Sequence, residues 1–358
     1  MINQKKKGQS DPLLCSFLHN MILNQGYKYS ILFLFAGLLL SCSLGDIFSN
    51  NESGIQTGGE IWASDDGLSW VSVTENAAFG VRSRASAVVF EDRLWVIGGA
   101  REQYSMEIIQ RYDDVWRSED GNTWIKIRNN QESEGLSCSD CPVNMKGSHL
   151  AFAFMDKMWL YGIPPDYSEY HSFFSEDGAN WTKLDSVPQQ GFILGHTVFK
   201  DTLWAISVPG FQGESGENRV WFSTDGRQWS KISPIPGFSP CPSFHLTVFN
   251  NQLWLLNSDR KETWYSSDGM TWQMATDSLQ TEPLESFDFV AFKKKLWIFG
   301  HPTYDYEKNE YISNIIWYSE DGTNWTRVQE SPEFGPRRGH AITIFQDRLW
   351  IIGGLERY

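Results

Sequence analysis

Two pairs of arginines are the residues whose type and spacing point most directly to ligand chemistry. Arg82 and Arg84 lie near the start of the periodic part of the chain, and Arg337 and Arg338 lie near its end. A guanidinium group presents a planar fork of N–H donors that matches the oxygen pair of a carboxylate or sulfate, and lysine does not substitute for it. If the fold brings the two pairs together, they predict an anion clamp. The alternative is that they pair with Asp113, Asp114 or other loop carboxylates.

Tyrosine supplies the second set of candidate ligand contacts. Tyrosines alternate with acidic residues in segments 101–113, 164–170 and 302–311, and a further loop at 213–218 is expected on the same face. An exposed tyrosine offers apolar area and a hydroxyl at low entropic cost, which suits contact with a glycan or a protein. The candidate tyrosines are Tyr104, Tyr112, Tyr167, Tyr170, Tyr304 and Tyr306.

Aspartates and histidines recur as well, but their placement does not favour catalysis or metal binding. Six aspartates occupy the same motif, spread around a repeat, whereas the carboxylates of a glycosidase must converge on one bond, so a role in making turns is favoured. The histidines near the starts of predicted strands are His149, His196, His245 and His340. They precede the next Phe by different numbers of residues, and strand side chains alternate, so they cannot all face one point. No metal site and no cofactor are predicted.

The cysteines predict a disulfide rather than a zinc site. Cys138 and Cys141 form a C-x-x-C pair in a long loop, and Cys241 stands alone in another. A zinc site would need a fourth ligand at a matching spacing, and the sequence shows none. In an oxidising compartment a local Cys138–Cys141 disulfide is the simplest outcome, and a bond from either of them to Cys241 is the alternative.

The elements that must position these residues repeat along the chain. The motif Ser-x-Asp-Gly-x-x-Trp occurs six times, and its Asp-Gly pair predicts a tight hairpin in which glycine takes a positive φ. A second motif, a Leu-Trp or Met-Trp pair inside an apolar run, also occurs six times. All 17 tryptophans lie in these two motifs or two residues before the Ser of the first. The first motif begins at Ser64, Ser118, Ser175, Ser223, Ser266 and Ser319.

Each repeat predicts four short strands. In one copy these are 86–90, 94–99, 114–118 and 123–127. The second strand is apolar without alternation, so both of its faces should be buried. Four-stranded sheets stacked side by side around an axis bury both faces and protect their edges. The predicted fold is therefore all-β, a six-bladed β-propeller with four-stranded antiparallel blades.

The phase of the repeat predicts how the ring closes. The periodic region begins with a half unit at 61–73 and ends with the complementary half at 340–354. Joined in one sheet, the N- and C-terminal segments form a closing sixth blade. Without this blade the ring would expose two apolar blade faces.

Two motifs resemble known propeller families. Residues 337–354, "RRGHAITIFQDRLWIIGG", carry the Arg, Gly-His, Leu-Trp and paired glycines of the kelch repeat and resemble kelch and galactose-oxidase-like propellers. The Ser-x-Asp-Gly-x-x-Trp hairpin resembles the Asp-box of sialidase-type propellers but is one residue shorter between Asp and Trp. The resemblance covers roughly residues 59–358 and implies architecture. It implies no catalytic residue, because no position matches the copper ligands of an oxidase, and the Tyr-Glu pair of a sialidase is not assigned.

The N-terminal segment predicts an address in a bacterial envelope. Residues 31–40 form an apolar run too short to span a bilayer, followed by Ser41 and Cys42. This resembles a lipoprotein signal in which Cys42 is acylated, and Met21 would give a leader of ordinary length. The alternative is a plain hydrophobic anchor. The predicted organisation is a signal peptide at 1–41, a polar tether at 42–58 and the propeller at 59–358.

Charge and composition narrow the choice of partner. The net charge is −14, and residues 1–41 contribute four lysines and one aspartate, so the remainder carries −14 − 3 = −17. Such a surface repels nucleic acid. The sequence favours a lipid-anchored, non-catalytic propeller that binds a protein or glycan in the envelope, at the outer rather than the inner membrane. The alternatives are a carbohydrate-active envelope enzyme and a structural scaffold.

Overall fold

A computed structural model describes residues 59–102, 108–128, 149–162, 171–184, 192–208, 219–232, 244–281, 287–300, 303–305, 310–312, 314–328 and 332–356. These residues belong to a single unit, Gln56–Tyr358. Their secondary structure is entirely β, as predicted. The strands are β1 (Ile61–Ser64), β2 (Val71–Thr74), β3 (Ser86–Phe90), β4 (Arg93–Ile97), β5 (Ala100–Glu102), β6 (Ile108–Arg111), β7 (Val115–Ser118), β8 (Trp124–Arg128), β9 (His149–Phe154), β10 (Lys157–Gly162), β11 (His171–Ser175), β12 (Thr182–Leu184), β13 (Phe192–Phe199), β14 (Thr202–Val208), β15 (Arg219–Ser223), β16 (Ser230–Lys231), β17 (Phe244–Phe249), β18 (Gln252–Asn257), β19 (Glu262–Ser266), β20 (Gln273–Thr276), β21 (Phe287–Phe292), β22 (Lys295–Gly300), β23 (Thr303–Asp305), β24 (Glu310–Ile312), β25 (Ile315–Ser319), β26 (Thr326–Arg327), β27 (Arg337–Arg338), β28 (Ala341–Phe345), β29 (Arg348–Ile352) and β30 (Leu355–Glu356).

Six four-stranded antiparallel sheets form the blades of a β-propeller, which confirms the predicted fold class. We number the blades along the chain and call their strands one to four from the first strand of each sheet. Blade 1 is β3-β4-β7-β8, blade 2 is β9-β10-β11-β12, blade 3 is β13-β14-β15-β16, blade 4 is β17-β18-β19-β20, blade 5 is β21-β22-β25-β26 and blade 6 is β28-β29-β1-β2. Three two-stranded ladders, β5–β6, β23–β24 and β27–β30, extend from the ends of blades.

Blade 6 joins the two ends of the propeller, also as predicted. Its third strand, β1, pairs antiparallel with its second strand, β29, with Ile61 opposite Ile352 and Ala63 opposite Trp350. The N-terminal half contributes strands three and four, and the C-terminal half contributes strands one and two. The ring is therefore closed by backbone pairing between residues 285 to 291 positions apart.

Strand two is the most deeply buried strand of each blade. In β4 the side chains from Leu94 to Ile97 are all at most 1% exposed, which confirms that both faces are covered. Buried apolar side chains gather in clusters that each combine residues of two adjacent blades. Burial between blades therefore supplies the main apolar stabilisation of the ring.

The glycine of each Ser-x-Asp-Gly hairpin packs on the strand-two tryptophan of the preceding blade. Glycine is needed at this position for two reasons: its φ is positive, and a Cβ would overlap the indole ring. The sequence predicted only the first reason. The contacts follow the whole ring: Gly67–Trp297, Gly121–Trp350, Gly178–Trp95, Gly226–Trp159, Gly269–Trp204 and Gly322–Trp254.

The hairpin differs in detail from the tight turn that was predicted. In blade 1, strands β7 and β8 are joined by five residues, with Ser118 opposite Trp124 in register. The Ser118 hydroxyl oxygen accepts a hydrogen bond from Gly121 N at 2.8 Å, and Asp120 Oδ1 accepts bonds from Asn122 N and Thr123 N at 2.8 and 2.7 Å. Side-chain oxygens replace the missing backbone acceptors, so a longer turn is as well satisfied as a tight one.

The turn between strands one and two is the tight one. Both of its central residues have positive φ near 50–60° in every blade, which is the geometry of a primed two-residue turn, although none of them is glycine. In blade 1 these residues are Glu91 and Asp92, and Arg93 already belongs to strand two. The turns and the hairpins lie at the same end of the blades, which we call the hairpin end. The opposite end, where strand two finishes, we call the loop end.

Candidate functional site

Two neighbouring loops at the loop end share the sequence Phe-Gly-x-Arg. It occurs at 79–82 and at 334–337 and nowhere else in the chain. In both loops the glycine has a positive φ, 73° and 67°, and its N–H donates to the carbonyl oxygen three residues before it. These loops lead into blades 1 and 6, which are adjacent in the ring.

The phenylalanine of each loop docks on the hairpin-motif tryptophan of the blade that follows. Phe79 meets Trp124 edge to face, with ring centroids 5.0 Å apart. Phe334 meets Trp70 in the same way at 5.1 Å. The two loops are therefore equivalent in structure as well as in sequence. Their shared motif explains why each phenylalanine makes the same contact.

The arginine of the first loop is buried and bonded to protein groups. Arg82 is 1% exposed, and its guanidinium group donates to Phe79 O, to Gly98 O at 2.8 Å and to both carboxylate oxygens of Asp114, at 2.7 and 3.2 Å. The ring of Tyr112 covers it, with the guanidinium carbon 4.3 Å from the ring centroid. The predicted alternative, pairing with Asp114, is what the structure shows for this arginine.

The arginine of the second loop repeats the arrangement. Arg337 is also 1% exposed and donates to Phe334 O at 2.7 Å, to Gly353 O at 3.2 Å and to Glu60 Oε2 at 2.6 Å. Glu60 precedes strand three of blade 6 as Asp114 precedes strand three of blade 1. Both arginines thus connect a loop, the end of strand two and the start of strand three within one blade.

The other two predicted arginines converge on one buried carboxylate. Arg84 Nε lies 2.5 Å from Glu102 Oε1, and Arg338 Nη2 lies 3.2 Å from Glu102 Oε2. The Glu102 side chain is 1% exposed, whereas those of Arg84 and Arg338 are 36% and 16% exposed. The structure therefore divides the four predicted arginines into two buried ones and two that reach solvent.

Arg84 has a backbone conformation that is unusual for a residue outside a turn pair. Its φ is +57°, in the left-handed region, and its N–H donates to Gly339 O in the neighbouring loop at 2.6 Å. Such a conformation in a non-glycine residue costs on the order of 1–3 kcal/mol and is kept where the surroundings enforce it. Backbone strain therefore coincides with the meeting point of the two loops.

Two members of this cluster were missed from the sequence. Glu102 stands between a lone Arg and a Tyr-rich loop, and no motif marks it. Arg111 lies within the electrostatic reach of Arg84 and Glu102: burial lowers its pKa, Arg84 lowers it further and Glu102 opposes the decrease. The register of the β5–β6 ladder brings Arg111 opposite Ala100, and only pairing of these two short strands could have indicated it.

The structure describes only some of the other residues that were predicted to contact a ligand, to carry a lipid or to form a disulfide. Tyr112 stacks on Arg82, and its hydroxyl donates to Val81 O at 3.4 Å. Tyr304 pairs with Tyr311 in the β23–β24 ladder. The remaining candidates lie outside the described residues, and these are Tyr104, Tyr167, Tyr170, Tyr306, Cys42, Cys138, Cys141 and Cys241.

The histidines near the strand starts have separate surroundings. His149 is buried with Nε2 at 3.0 Å from Ile97 O in the preceding blade, and burial lowers its pKa to about 4. His340 Nε2 lies 3.4 Å from Asp288 Oδ2 across the joint between blades 5 and 6. Within the described ranges no group of three or more His, Cys, Asp or Glu side chains is arranged to hold a metal ion.

The comparisons define the class of fold. No protein-family model matches the chain, and no curated protein matches it. Solved structures do match, and one of them, titled "Structure of YjhT", aligns with a TM-score of 0.51 at 12% identity over 75% of this chain and 91% of that one. At this identity the likeness shows the propeller fold alone. Among the residues with described structure, no helix has the length and apolar character needed to cross a membrane.

Proposed function

We propose that this propeller is a non-catalytic binding module that holds an anionic group, a carboxylate or a sulfate, of a glycan or protein between Arg84 and Arg338. One observation carries the proposal: two arginines from neighbouring loops converge on a single buried glutamate while keeping part of their surface in solvent. The site lies at the loop end of the ring, at the joint between blades 6 and 1.

The geometry suits an anion because the buried carboxylate of Glu102 contacts both guanidinium groups and orients them. Its carboxylate engages Arg84 through Nε, so the terminal Nη1–Nη2 edge of that guanidinium is directed away from the Nε contact. A two-pronged edge of this kind bonds both oxygens of a carboxylate or sulfate. In a chain of net charge −14, a pair of accessible arginines is also a local exception that selects for anions by attraction.

The proposed setting is the bacterial envelope, with attachment through an acylated Cys42 and a polar tether. The support is the lipoprotein-like order of an apolar run, Ser41 and Cys42 in the sequence. The kelch-like segment at 337–354 and the Asp-box-like hairpins support the propeller architecture of such a module. Partners would be an extracytoplasmic glycan or protein, with contact to the membrane through the lipid anchor.

The test is equilibrium binding of two small probes, D-glucuronate and N-acetylglucosamine 6-sulfate, with N-acetylglucosamine as the uncharged comparison. Arg84→Lys/Arg338→Lys keeps the charge but removes both forks, and we expect a loss of about tenfold or more in affinity for the bound probe, since a charge-assisted bidentate pair contributes about 1.5–3 kcal/mol.

The matched control is Arg93→Lys. Arg93 is a partly exposed arginine at the hairpin end of the same blade, paired with Glu91 and Glu119. It should bind the probes as the wild type does. If the double variant retains wild-type affinity, or if neither charged probe binds better than N-acetylglucosamine, the proposed site is wrong.

A further inference from the structure

We infer that Arg82 and Arg337 are positioning residues for the proposed anion site: each buried guanidinium fixes the loop that presents the next cation, Arg84 or Arg338. The inference rests on the proposed function and adds two residues that a ligand would not touch. It also explains why the chain carries Phe-Gly-x-Arg at two adjacent joints of the ring.

In the first loop the contacts of Arg82 determine where Arg84 starts. Its guanidinium ties Phe79 O to Gly98 O and Asp114, which fixes the path of the chain over the end of blade 1. The next residue, Ser83, then forms a two-way backbone bridge with Ala100, at 2.9 and 2.8 Å. Arg84 therefore begins from a backbone held on both sides, one residue from the bridge that also aligns the strand of Glu102.

In the second loop Arg337 does the same for Arg338. Its guanidinium ties Phe334 O to Gly353 O and Glu60. The backbone N–H of Arg337 donates to Asn314 Oδ1 at 2.8 Å, and its carbonyl accepts from Asn314 Nδ2 at 3.1 Å. Arg338 follows directly and reaches Glu102 of blade 1 across the joint.

The two loops are also connected to each other at the level of the backbone. Gly354 N donates to Arg82 O at 2.9 Å, and Arg84 N donates to Gly339 O at 2.6 Å. A displacement of either buried arginine would therefore change the distance between Arg84 and Arg338. Binding of one anion by both arginines requires their donors to be placed to within about 0.5 Å, so the distance between Arg84 and Arg338 matters for affinity.

The distribution of the motif separates positioning from a purely structural role. A device that only stabilised blades would be expected in every repeat, as the glycine–tryptophan contacts are. Phe-Gly-x-Arg instead occurs twice in the sequence, at neighbouring joints, and each copy is followed within two residues by an arginine, Arg84 or Arg338, that reaches Glu102.

The experiment compares Arg82→Lys and Arg337→Lys with the wild type, using the probe that binds better of D-glucuronate and N-acetylglucosamine 6-sulfate, well below the melting temperature of each variant. Each lysine keeps the buried charge but cannot bond three acceptors in a plane. We expect an affinity loss of about fivefold or more in each variant. We also expect the Nε–Hε NMR signal of Arg84 to shift in the ligand-free protein.

A merely structural role would lower the melting temperature while leaving the affinity and the Arg84 signal unchanged, and that result would overturn the inference. If a lysine variant does not fold, Asp114→Asn or Glu60→Gln replaces it, because each leaves the arginine and removes its charge partner. Probe affinity and the Arg84 NMR signal are then measured in these variants and interpreted in the same way.

The inference and the proposed function fail in different ways. If Arg84→Lys/Arg338→Lys weakens binding but Arg82→Lys and Arg337→Lys do not, the site is real and the positioning role is wrong. If Arg84→Lys/Arg338→Lys binds as the wild type does, the proposed site itself is wrong, and the positioning role falls with it.

Discussion

The hairpin end and the loop end of this propeller follow different rules. At the hairpin end every blade repeats one design: the same Ser–Asp–Gly turn, the same primed turn and the same glycine–tryptophan contact with the blade before it. At the loop end, two adjacent loops carry a motif that the other loops lack in sequence. The repeated end holds the ring together, whereas the irregular end gathers charged groups. The site that we propose therefore lies where the chain departs from its repeat.

Ring closure should show the largest effect, because every joint depends on it. Deleting Ile351–Tyr358 removes the end of strand two of blade 6 and its pairing with β1. The deleted Ile351 and Ile352 are buried in the apolar clusters on the two faces of blade 6, so both joints of this blade are weakened at once and we expect loss of cooperative unfolding rather than a local defect. Thermal unfolding followed by circular dichroism checks this. An unchanged melting curve would contradict closure by the two ends.

A single methyl group at the hairpin end should have the next largest effect. Gly322→Ala places a Cβ against the ring of Trp254 at a positive φ. We expect destabilisation of about 2–4 kcal/mol, from backbone strain of about 1 kcal/mol and overpacking of about 1–3 kcal/mol.

Gly80→Ala is the matched control for that substitution. Gly80 has a similar φ of +73°, but no atom lies within 4 Å of its added Cβ. Denaturant unfolding should show only the strain of about 1 kcal/mol. Equal losses for the two variants would show that the tryptophan contact does not matter.

Acid should remove the stability contributed by groups at the two ends in different pH ranges. His149, near the loop end, has a pKa of about 4 because it is buried, against 6.5 for an unburied histidine. Between these values the unfolded chain binds a proton that the folded chain does not, so stability falls as the pH drops from 6.5 to 4. The difference corresponds to about 3 kcal/mol at most.

At the hairpin end the pKa of Asp120 is lowered, chiefly by the N–H group of Thr123, so its contribution persists in that window and is lost only below about pH 3.8. Urea unfolding at several pH values should show a shallower slope between pH 6.5 and 4 for His149→Gln than for the wild type. An identical slope would mean that His149 is protonated in the folded chain.

These contrasts also explain what could be predicted from the sequence. Strand bounds in blade 1 were predicted to within about two residues, because Leu94–Ile97 and the Ser118–Trp124 hairpin recur six times and each copy supports the others. The contact of Gly121 with Trp350 could not be predicted, since it joins residues of different blades. Glu102 was missed for a related reason: its role depends on where two unrelated loops meet, and no periodicity indicates that.

The smallest expected effect is a gain. Lys294 is the second residue of the primed turn in blade 5 and has a φ of +59°. Lys294→Gly relieves that strain, and we expect the free energy of unfolding to rise by about 0.5–1 kcal/mol, with no change in probe binding. Lys261, also at positive φ but outside the repeated turns, provides a comparison through Lys261→Gly. A loss of stability in Lys294→Gly would contradict the assigned turn geometry.

The most direct measurement of the central claim is an NMR titration of arginine Nε–Hε signals with D-glucuronate and N-acetylglucosamine 6-sulfate. If the irregular loop end binds anions, the signals of Arg84 and Arg338 shift together and saturate with one dissociation constant. Those of Arg93 and Arg348, which pair with acids at the hairpin end, stay in place. Shifts of equal size at all four arginines, or none at Arg84 and Arg338, would contradict the account.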